Sequence, residues 1–382
     1  MDEQRSRPAA GRIRPVTGAV TLKQVAAEAE VSLATASRVL HRSGGREVRG
    51  ALAERVQAAA ERLGYVSNPH AQALARARSS TVGLIVHEVT DPYFAAIAAG
   101  AMHAAHAEGV MVMMAATFRD PELELDYLGR LRAQGARGVL LAGSGSTDAR
   151  VSRRLAEAIA AINREGGRVA AIGARPDTRV DAVVPDNAAG AAKAREHLES
   201  LGHRRIGVVS GPDTLMTVRQ RLDGLGSGLR IVEADFTREG GREAAKKLLA
   251  DDEAITALIA LNDLMAAGVL AAAKELGRRV PEDLSVIGFD DVPFAADFSP
   301  ALTTVRLPLR EMGERAMQLL LATPEALDEE QDEAAAQTVD IPAELVIRSS
   351  TAPPRPVRRV EPGANMVEDI PAEGVESGPR RS

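Results

Sequence analysis

The feature that most constrains the fold is a regular alternation of short apolar segments and longer helical segments that begins at Thr81. Continuous short apolar runs are typical of strands that are covered on both faces. The predicted strands are Val82–Val86, Gly138–Ala142, Val169–Ile172, Ile206–Val209, Ala257–Ala260 and Ser285–Phe289. Strands that alternate with helices of about 10–15 residues predict βαβ units and therefore parallel sheets.

The segments between these strands have helical periodicity, and glycines follow most of them. The predicted helices are Phe94–Glu108, Glu122–Gln134, Ala188–Leu201, Glu239–Ala250 and Leu264–Leu276, and the glycines are Gly109, Gly135, Gly202 and Gly277. Glycine is common just after the last turn of a helix. Because there are too many strands for one small sheet, the sequence predicts an α/β body of two doubly wound parallel-sheet subdomains. Ligands of such folds gather at the carboxyl ends of the strands.

The segment before the body has a different pattern. Three short helices are predicted in it, between Thr21 and Tyr65. Thr21 and Ser32 are suited to cap the first two helices, and the third runs from about Ala51 to Leu63, with Gly64 as its end. The sequence therefore predicts a small all-α head with a core of small aliphatic side chains.

The charge is unevenly distributed between the head and the body. The first 80 residues contain 13 Lys and Arg against 7 Asp and Glu, whereas the whole chain has a net charge of −6. A basic head on an acidic body indicates that the head meets a polyanion.

The chain has no cysteine, which excludes disulfides, Cys-type zinc sites, thiol nucleophiles and iron–sulfur clusters. Its aromatic content of 2% argues against stacking on single-stranded nucleic acid.

The segment Leu22–Leu40 has the layout of a helix-turn-helix, in which a first helix supports a second that faces DNA. The predicted phosphate contacts are Ser32, Thr35 and Ser37, and the predicted contacts to base edges are Leu33, Ala34 and Arg38. From the pattern alone, an ordinary helical hairpin with a solvated Arg38 is the alternative interpretation.

Two motifs resemble the lactose-repressor/galactose-repressor (LacI/GalR) family of transcription regulators. One is Val31–Val39, V-S-L-A-T-A-S-R-V, which in that family begins the recognition helix, and the other runs from Leu63 to Leu74. The resemblance extends over about residues 20–351 and implies a periplasmic-binding-protein-like body. It also implies a repressor that binds near-palindromic operator DNA and responds to a small molecule in its sensor cleft.

The family resemblance assigns residues 67–79 to a hinge segment that becomes helical on the operator. Asn68 lies in this segment as a DNA-binding candidate, and Leu74 matches a leucine that each protomer wedges into the minor groove. Such a wedge unstacks a base step and bends the duplex. A linker residue that packs locally is the alternative interpretation of Leu74.

The same resemblance implies an effector cleft in the body. The candidate effector-binding residues are Tyr93, Phe94, Arg221, Asn262 and Asp290. Aromatic rings can stack on a sugar face, and the planar fork of a guanidinium can hold two oxygens together. Tyr93 is equally suited to the core, and Asn262 is equally suited to cap a helix.

This chain departs from the family pattern at several positions. Glu30 stands where the family often has glycine, at a cost of roughly 1 kcal/mol if the residue is left-handed. Ala36 replaces a larger valine, and Ser67 stands in place of a common proline. Gly173 replaces a cleft aspartate, and the segment 224–230 is shorter than usual and is predicted to be a loop. The last two departures put effector binding in question.

These observations predict five regions. They are a disordered tail (1–18), a DNA-binding domain (19–66), the hinge (67–79), an effector-sensing and dimerisation domain (80–351) and a second disordered tail (352–382). The chain has neither a membrane-length apolar run nor a secretory signal, which predicts a cytoplasmic protein.

The expected partners are double-stranded operator DNA, a second and possibly third and fourth copy of the chain, and a small effector, with a sugar ahead of a nucleoside. We expect no cofactor, no metal site and no enzymatic activity, because no catalytic motif is present. Two other functions stay open at this point: a binding protein that delivers a ligand to a transporter, and a DNA-binding regulator that no longer responds to an effector.

Overall fold

The structure is a computed structural model that describes residues 20–41, 50–65, 81–175, 177–322 and 336–355. The hinge segment, with Asn68 and Leu74, lies outside the described residues, as do the first tail and residues 356–382. Residues 352–355 are described. Ala352 exchanges hydrogen bonds with Ser285, and Arg355 pairs with Asp283, so the described body extends past the predicted boundary at residue 351.

The head consists of the helices α1 (Leu22–Glu28), α2 (Leu33–His41) and α3 (Ala51–Leu63). Thr21 forms a capping box at the start of α1, and Ser32 Oγ accepts the Thr35 amide at the start of α2. Gly64 ends α3 with a left-handed φ of 64°. The buried side chains between the helices are Val25, Ala26, Ala29, Ala36, Val56, Ala59 and Ala60. The three predicted helices and the small-residue core are confirmed.

The first subdomain of the body is built on a six-stranded parallel sheet. Its strands are β1 (Thr81–Val86), β2 (Met111–Ala116), β3 (Gly138–Leu141), β4 (Arg168–Ile172), β5 (Asp181–Pro185) and β11 (Thr338–Ile341), in the order β11-β5-β4-β3-β1-β2. Its helices are α4 (Pro92–Ala107), α5 (Pro121–Ala133), α6 (Ala149–Arg164) and α11 (Leu309–Leu321). Helices α4 and α11 approach so closely that a Cβ on Gly100 or Gly313 would meet the backbone of the other helix.

The second subdomain repeats this plan. Its strands are β6 (Ile206–Ser210), β7 (Arg230–Glu233), β8 (Ala257–Ala260), β9 (Ser285–Asp290), β10 (Thr303–Arg306) and β12 (Glu344–Val346), in the order β12-β10-β9-β8-β6-β7. Only β12 is antiparallel to its neighbour. Its helices are α7 (Asn187–Ser200), α8 (Met216–Leu225), α9 (Arg238–Asp251) and α10 (Asp263–Glu275), and a 3-10 turn spans Pro293–Ala296.

The chain passes between the subdomains three times, after β5, after β10 and after β11. The predicted α/β body of two parallel-sheet subdomains is confirmed, and all six predicted strands and all five predicted helices are present. The four glycines predicted to end helices have positive φ. Among the described helices, none is long and apolar enough to cross a membrane.

One prediction about the second subdomain is wrong. The segment 224–230 is not all loop, because Gly224 and Leu225 form the last turn of α8 and Arg230 begins β7. Gly224 is required for packing, since a Cβ there would lie 2.1 Å from the Ala188 carbonyl oxygen. The short connection therefore retains the helix and the strand that a βαβ unit needs.

Glu30 has a left-handed φ of 50°, so the cost expected for a residue other than glycine at this position applies. A residue with a Cβ is disfavoured there, and the exposed Glu30–Arg55 ion pair at 3.6 Å adds little. We expect Glu30→Gly to raise the free energy of unfolding of the head by about 1 kcal/mol. Hydrogen exchange at the buried Val25 and Val56 amides of the full chain measures this change.

A matched control is Ala27→Gly, which places glycine at an exposed position inside α1 and should lower the stability of the head by up to about 1 kcal/mol. Equal destabilisation by both substitutions would show that the conformation of Glu30 carries no strain.

Candidate functional site

The predicted DNA-contacting residues of the head lie at the start of α2 and along its first two turns. Ser32, Leu33, Ala34 and Arg38 are exposed, whereas Thr35 and Ser37 are half-buried beside the core residue Ala36. Leu33 is 52% exposed. Contact between Leu33 and a thymine methyl group remains a prediction.

Local hydrogen bonds set the geometry of this surface. The hydroxyls of Ser32 and Thr35 lie 2.8 Å apart, and Ser32 also caps α2. Arg38 donates from Nε to the Ala34 carbonyl at 3.3 Å, which lays its stem along the helix. Arg55 donates to the Ala29 carbonyl at 2.6 Å and ties α3 to the end of α1. These bonds therefore hold the first turn of α2 and the Arg38 side chain in defined positions on the surface of the head.

The five predicted effector residues come together in one cavity of about 440 Å³ between the subdomains. Tyr93 and Phe94 begin α4, Arg221 lies on α8, Asn262 follows β8, and Asp290 ends β9. Asn262 and Asp290 are at or just beyond the carboxyl ends of strands, where ligands of such folds bind, and the other three residues lie on the helices that follow β1 and β6. Their role in binding an effector remains a prediction.

Sequence reasoning missed the other residues that line this cavity. They are His87, Asp91, Arg119, Ser144, Leu215, Thr217 and Phe236. Several follow the carboxyl end of a strand, and recognition of β2 and β7 would have pointed to Arg119 and Phe236. The Arg119 guanidinium lies 5.3 Å from the centre of the Phe236 ring, so these two side chains connect the walls of the cleft.

Arg221 is the most heavily bonded residue of the cleft. Its Nε donates to Asn187 Oδ1 at 2.9 Å, one terminal nitrogen donates to the Leu261 carbonyl, and the other donates to Asp290 Oδ1 at 3.0 Å. Its guanidinium also lies 3.7 Å from the centre of the Phe289 ring. These bonds fix the guanidinium in the buried floor of the cleft.

Asp290 is held under strain. It has a φ of 109°, and the next residue, Asp291, has a φ of 54°, so two successive aspartates occupy the region that favours glycine. Strain of this kind persists where the surroundings over-determine the conformation, as at binding sites. Burial, helped by the nearby Asp91 carboxylate, raises the pKa of Asp290 to about 7, although Arg221 opposes the shift.

The remaining predicted residues have structural as well as cleft-facing roles. Asn262 caps α10 by accepting the Met265 amide at 2.8 Å, as the alternative interpretation held. Phe94 is buried in the core, and Tyr93 meets its ring edge to face at 4.9 Å. Burial raises the pKa of the Tyr93 hydroxyl, which therefore stays protonated.

Sequence reasoning also missed Asp263, which accepts hydrogen bonds from Thr304 and the Val292 amide.

The raised pKa of Asp290 predicts how the free energy of unfolding depends on pH. Between its ordinary value of 3.8 and about 7, the folded protein keeps a proton that the unfolded chain releases. This group's contribution to the free energy of unfolding is therefore present at low pH and is lost as the pH rises through that window. Relative to Asp290→Asn, the wild-type protein should lose up to about 1.4 kcal/mol per pH unit there.

Urea denaturation of both proteins at several pH values measures this slope. Asp223→Asn is a matched control, because Asp223 is an exposed aspartate on α8. A difference between wild type and Asp290→Asn that does not change with pH would contradict the assignment.

Comparisons with known proteins agree with this architecture. The model for bacterial regulatory proteins of the lacI family matches residues 21–68, and the model for a periplasmic binding protein-like domain matches residues 195–351. The transcriptional repressor CytR of Escherichia coli (strain K12) is 33% identical over 344 residues, which cover 87% of this chain and 96% of CytR.

Two solved structures have the same fold over most of the chain. The Lac repressor dimer bound to operator and the anti-inducer ONPF has a TM-score of 0.73 at 25% identity, and the match covers 88% of this chain and 100% of that one. The complex of the transcriptional regulator CelR with cellobiose has a TM-score of 0.62 at 29% identity, covering 87% and 99%. The chain belongs to the lacI family of bacterial transcriptional regulators.

Proposed function

We propose that the protein is a repressor that binds near-palindromic operator DNA as a homodimer and changes its operator affinity when a sugar occupies the cleft. The observation that carries this proposal is the cleft itself, in which side chains from both subdomains surround the fixed Arg221 guanidinium. CytR is named a repressor, and the related structures contain operator DNA and cellobiose. These relatives support the proposal, and they make an enzymatic function or a transporter-delivery function poorer accounts of the chain.

The residues of the cleft favour a polyhydroxylated ligand with an apolar face. Tyr93 and Phe236 offer aromatic surface, and Arg221, Asn262 and Asp290 offer donors and acceptors close together. A sugar ring has both properties, since its hydroxyls lie around the edge and its C–H groups lie on the faces. A nucleoside shares part of this chemistry and is the second ligand class to test.

The covalent connections suggest how a ligand would act at a distance. The three passages between the subdomains allow one to rotate against the other, and the cleft walls come from both. A ligand changes operator affinity only if it prefers one degree of closure, and coupling of this kind is typically about 1–3 kcal/mol. Induction and co-repression differ only in the sign of that preference.

An exposed apolar edge supports the homodimer. Strand β2 is the outer strand of its sheet, and its Met111, Met113 and Met114 side chains are exposed. An apolar sheet edge favours pairing with another chain. In a two-fold dimer the two heads would read the two halves of a near-palindrome. The hinge contacts of Asn68 and Leu74 with the operator remain predictions. We also propose a cytoplasmic location, since a repressor must reach chromosomal DNA.

Selection of bound duplexes from a random DNA pool by the full chain, at one fixed salt concentration, tests the DNA-binding half of this proposal. We expect one palindromic sequence. Recovery of only salt-sensitive, sequence-independent binding, with or without a mixture of metabolites, would contradict it.

Arg38→Ala should flatten the base preference at one position of each half-site, because a bidentate arginine is worth about 1–3 kcal/mol of discrimination. The measurement is a repeat of the selection with the variant. Lys23→Ala, which removes an exposed charge from α1, is the matched control and should leave the recovered sequence unchanged. An unaltered preference at every position in Arg38→Ala would remove Arg38 from base recognition.

Arg221→Lys should weaken the response to the effector by about 30-fold or more while it preserves operator binding. Lysine keeps the charge opposite Asp290 but loses the fork, and a buried charged hydrogen bond contributes about 2 kcal/mol. The measurement is operator release during titration with sugars and nucleosides. Arg219→Ala, at an exposed position of α8, is the control. A wild-type response from Arg221→Lys would show that the cleft is wrongly assigned.

Titration of the wild-type protein with the same panel also tests the second candidate function, a regulator that no longer responds to an effector. Operator binding that no sugar or nucleoside alters would favour that function. In its support, the guanidinium of Arg221 is already bonded to three protein acceptors.

A further inference from the structure

The turn that follows β9 is held in a conformation that its residues disfavour. Asp290 and Asp291 both have a positive φ, and a residue other than glycine keeps such a conformation only where its surroundings over-determine it. Arg221 bonds the Asp290 carboxylate in the floor of the cleft. Because the two aspartates share one turn, the contacts of Asp291 also affect where the Asp290 carboxylate lies.

Two arginines bond the Asp291 carboxylate. This residue does not line the cleft, its side chain is only 8% exposed, and each of its oxygens has its own partner. Arg306 donates from Nε to Oδ2 at 2.7 Å, and a terminal nitrogen of Arg348 lies 2.7 Å from Oδ1. A carboxylate that is bonded through both oxygens has little freedom to rotate.

Arg348 is the more firmly held of these two arginines. Its side chain is 17% exposed, whereas that of Arg306 is 48% exposed. Arg348 also donates from its side chain to the Leu302 carbonyl at 2.8 Å and from its backbone amide to Thr303 Oγ1 at 3.0 Å. An exposed ion pair contributes little, but charge-assisted bonds in a largely buried network fix geometry. Arg348 therefore contributes most to the position of Asp291.

The backbone around the turn is anchored separately. The amide of Val292 donates to Asp263 Oδ2 at 2.9 Å, and the amide of Leu307 donates to the Asp290 carbonyl at 3.3 Å. Asp263 is itself fully buried. These bonds hold the residues on either side of Asp291, and the two arginines hold Asp291 itself.

Both arginines lie beside crossings of the chain between the subdomains. Arg306 is the last residue of β10, after which the chain passes to α11 in the first subdomain. Arg348 comes two residues after β12, the strand with which the chain returns from β11. Strands β10 and β12 are also neighbours, with Arg306 opposite Glu344. The contacts of Asp291 thus join the end of β9 to two of the three connections between the subdomains.

We propose that Arg348 is a positioning residue of the sensor domain. Without touching the ligand, it acts through Asp291 to hold the turn after β9 in the conformation that sets the Asp290 carboxylate against Arg221. Arg306 assists from its more exposed position. This inference rests on the proposed function, since the position of Asp290 affects an effector response only if the cleft binds an effector.

Urea unfolding of the full chain between about pH 4 and 7 tests where Asp290 lies, and it needs no effector. In the wild-type protein, the buried Asp290 makes the free energy of unfolding fall with pH relative to Asp290→Asn. Arg348→Met removes the charge and keeps most of the stem. With and without Asp290→Asn in that background, we expect the Asp290-dependent slope to shrink by about half or more, because a released carboxylate is hydrated and regains its ordinary pKa.

A purely structural role of Arg348 would lower the free energy of unfolding equally at every pH. An Asp290-dependent slope that is unchanged in Arg348→Met would therefore overturn the proposal. Arg205→Met is the matched control, because Arg205 pairs with Asp252, another aspartate of the second subdomain whose side chain is 8% exposed. This control should destabilise the protein and leave the slope as it is in the wild type.

Asp291→Asn provides the same test if Arg348→Met does not fold. Asparagine has nearly the same shape and tolerates a left-handed conformation, but it lacks the charge and one of the acceptor oxygens that the two arginines bond. The Asp290-dependent slope should again shrink by about half or more. An unchanged slope would show that Asp290 keeps its place without these bonds, which would overturn the proposal.

Operator release by the panel of sugars and nucleosides, including ribose, cellobiose and adenosine, separates this inference from the proposed function. For half-maximal release, Arg348→Met should need about ten times or more the concentration of the active compound that the wild type needs, and Arg348→Lys should recover part of this loss. Equal concentrations for Arg348→Met and the wild type would overturn the role of Arg348 in the cleft. If no compound releases the operator even from the wild type, the effector-responsive function fails, and the urea measurements still decide whether Arg348 positions Asp290.

Discussion

The arrangement of the sensor cleft depends on the buried guanidinium of Arg221. A charge removed from water must be fully paired, and Arg221 is paired with acceptors from three separate parts of the second subdomain: Asn187 at the start of α7, the Leu261 carbonyl after β8, and Asp290 at the end of β9. One side chain thus fixes the positions at which two neighbouring strands end. Removal of any partner would leave a buried charge or acceptor unsatisfied, which makes the cleft floor cooperative and rigid.

Several local features follow from this constraint. The chain at the end of β9 must place the Asp290 carboxylate against Arg221, and it does so at the cost of two aspartates in a region that favours glycine. Helix α8 must bring Arg221 close to α7, and Gly224 permits that approach. The opposite wall comes from the first subdomain, whose Arg119 contacts the rigid half through the Phe236 ring. In the proposed mechanism, a ligand between the halves changes their closure while the bonds of this floor stay intact.

Much of this could be predicted from sequence because it depends on local rules. Helix caps such as Thr21 and end glycines such as Gly64 depend on neighbouring residues, and strands buried on both faces appear as apolar runs. The edge strand β7 escaped prediction because it is only half apolar and largely exposed. The five effector candidates were found through motifs, whereas the contact between Arg119 and the Phe236 ring depends on tertiary packing that brings the two subdomains together. No local pattern could reveal that contact.

The central claim is that a ligand in the cleft and DNA on the head are coupled through one change of closure. The most direct measurement is the operator Kd of the wild-type protein with and without a saturating saccharide, together with the saccharide Kd with and without operator. Linkage requires that the two affinities change by the same factor, and we expect a factor of about 5–150. A saccharide that binds the cleft while both affinities stay unchanged would contradict the account.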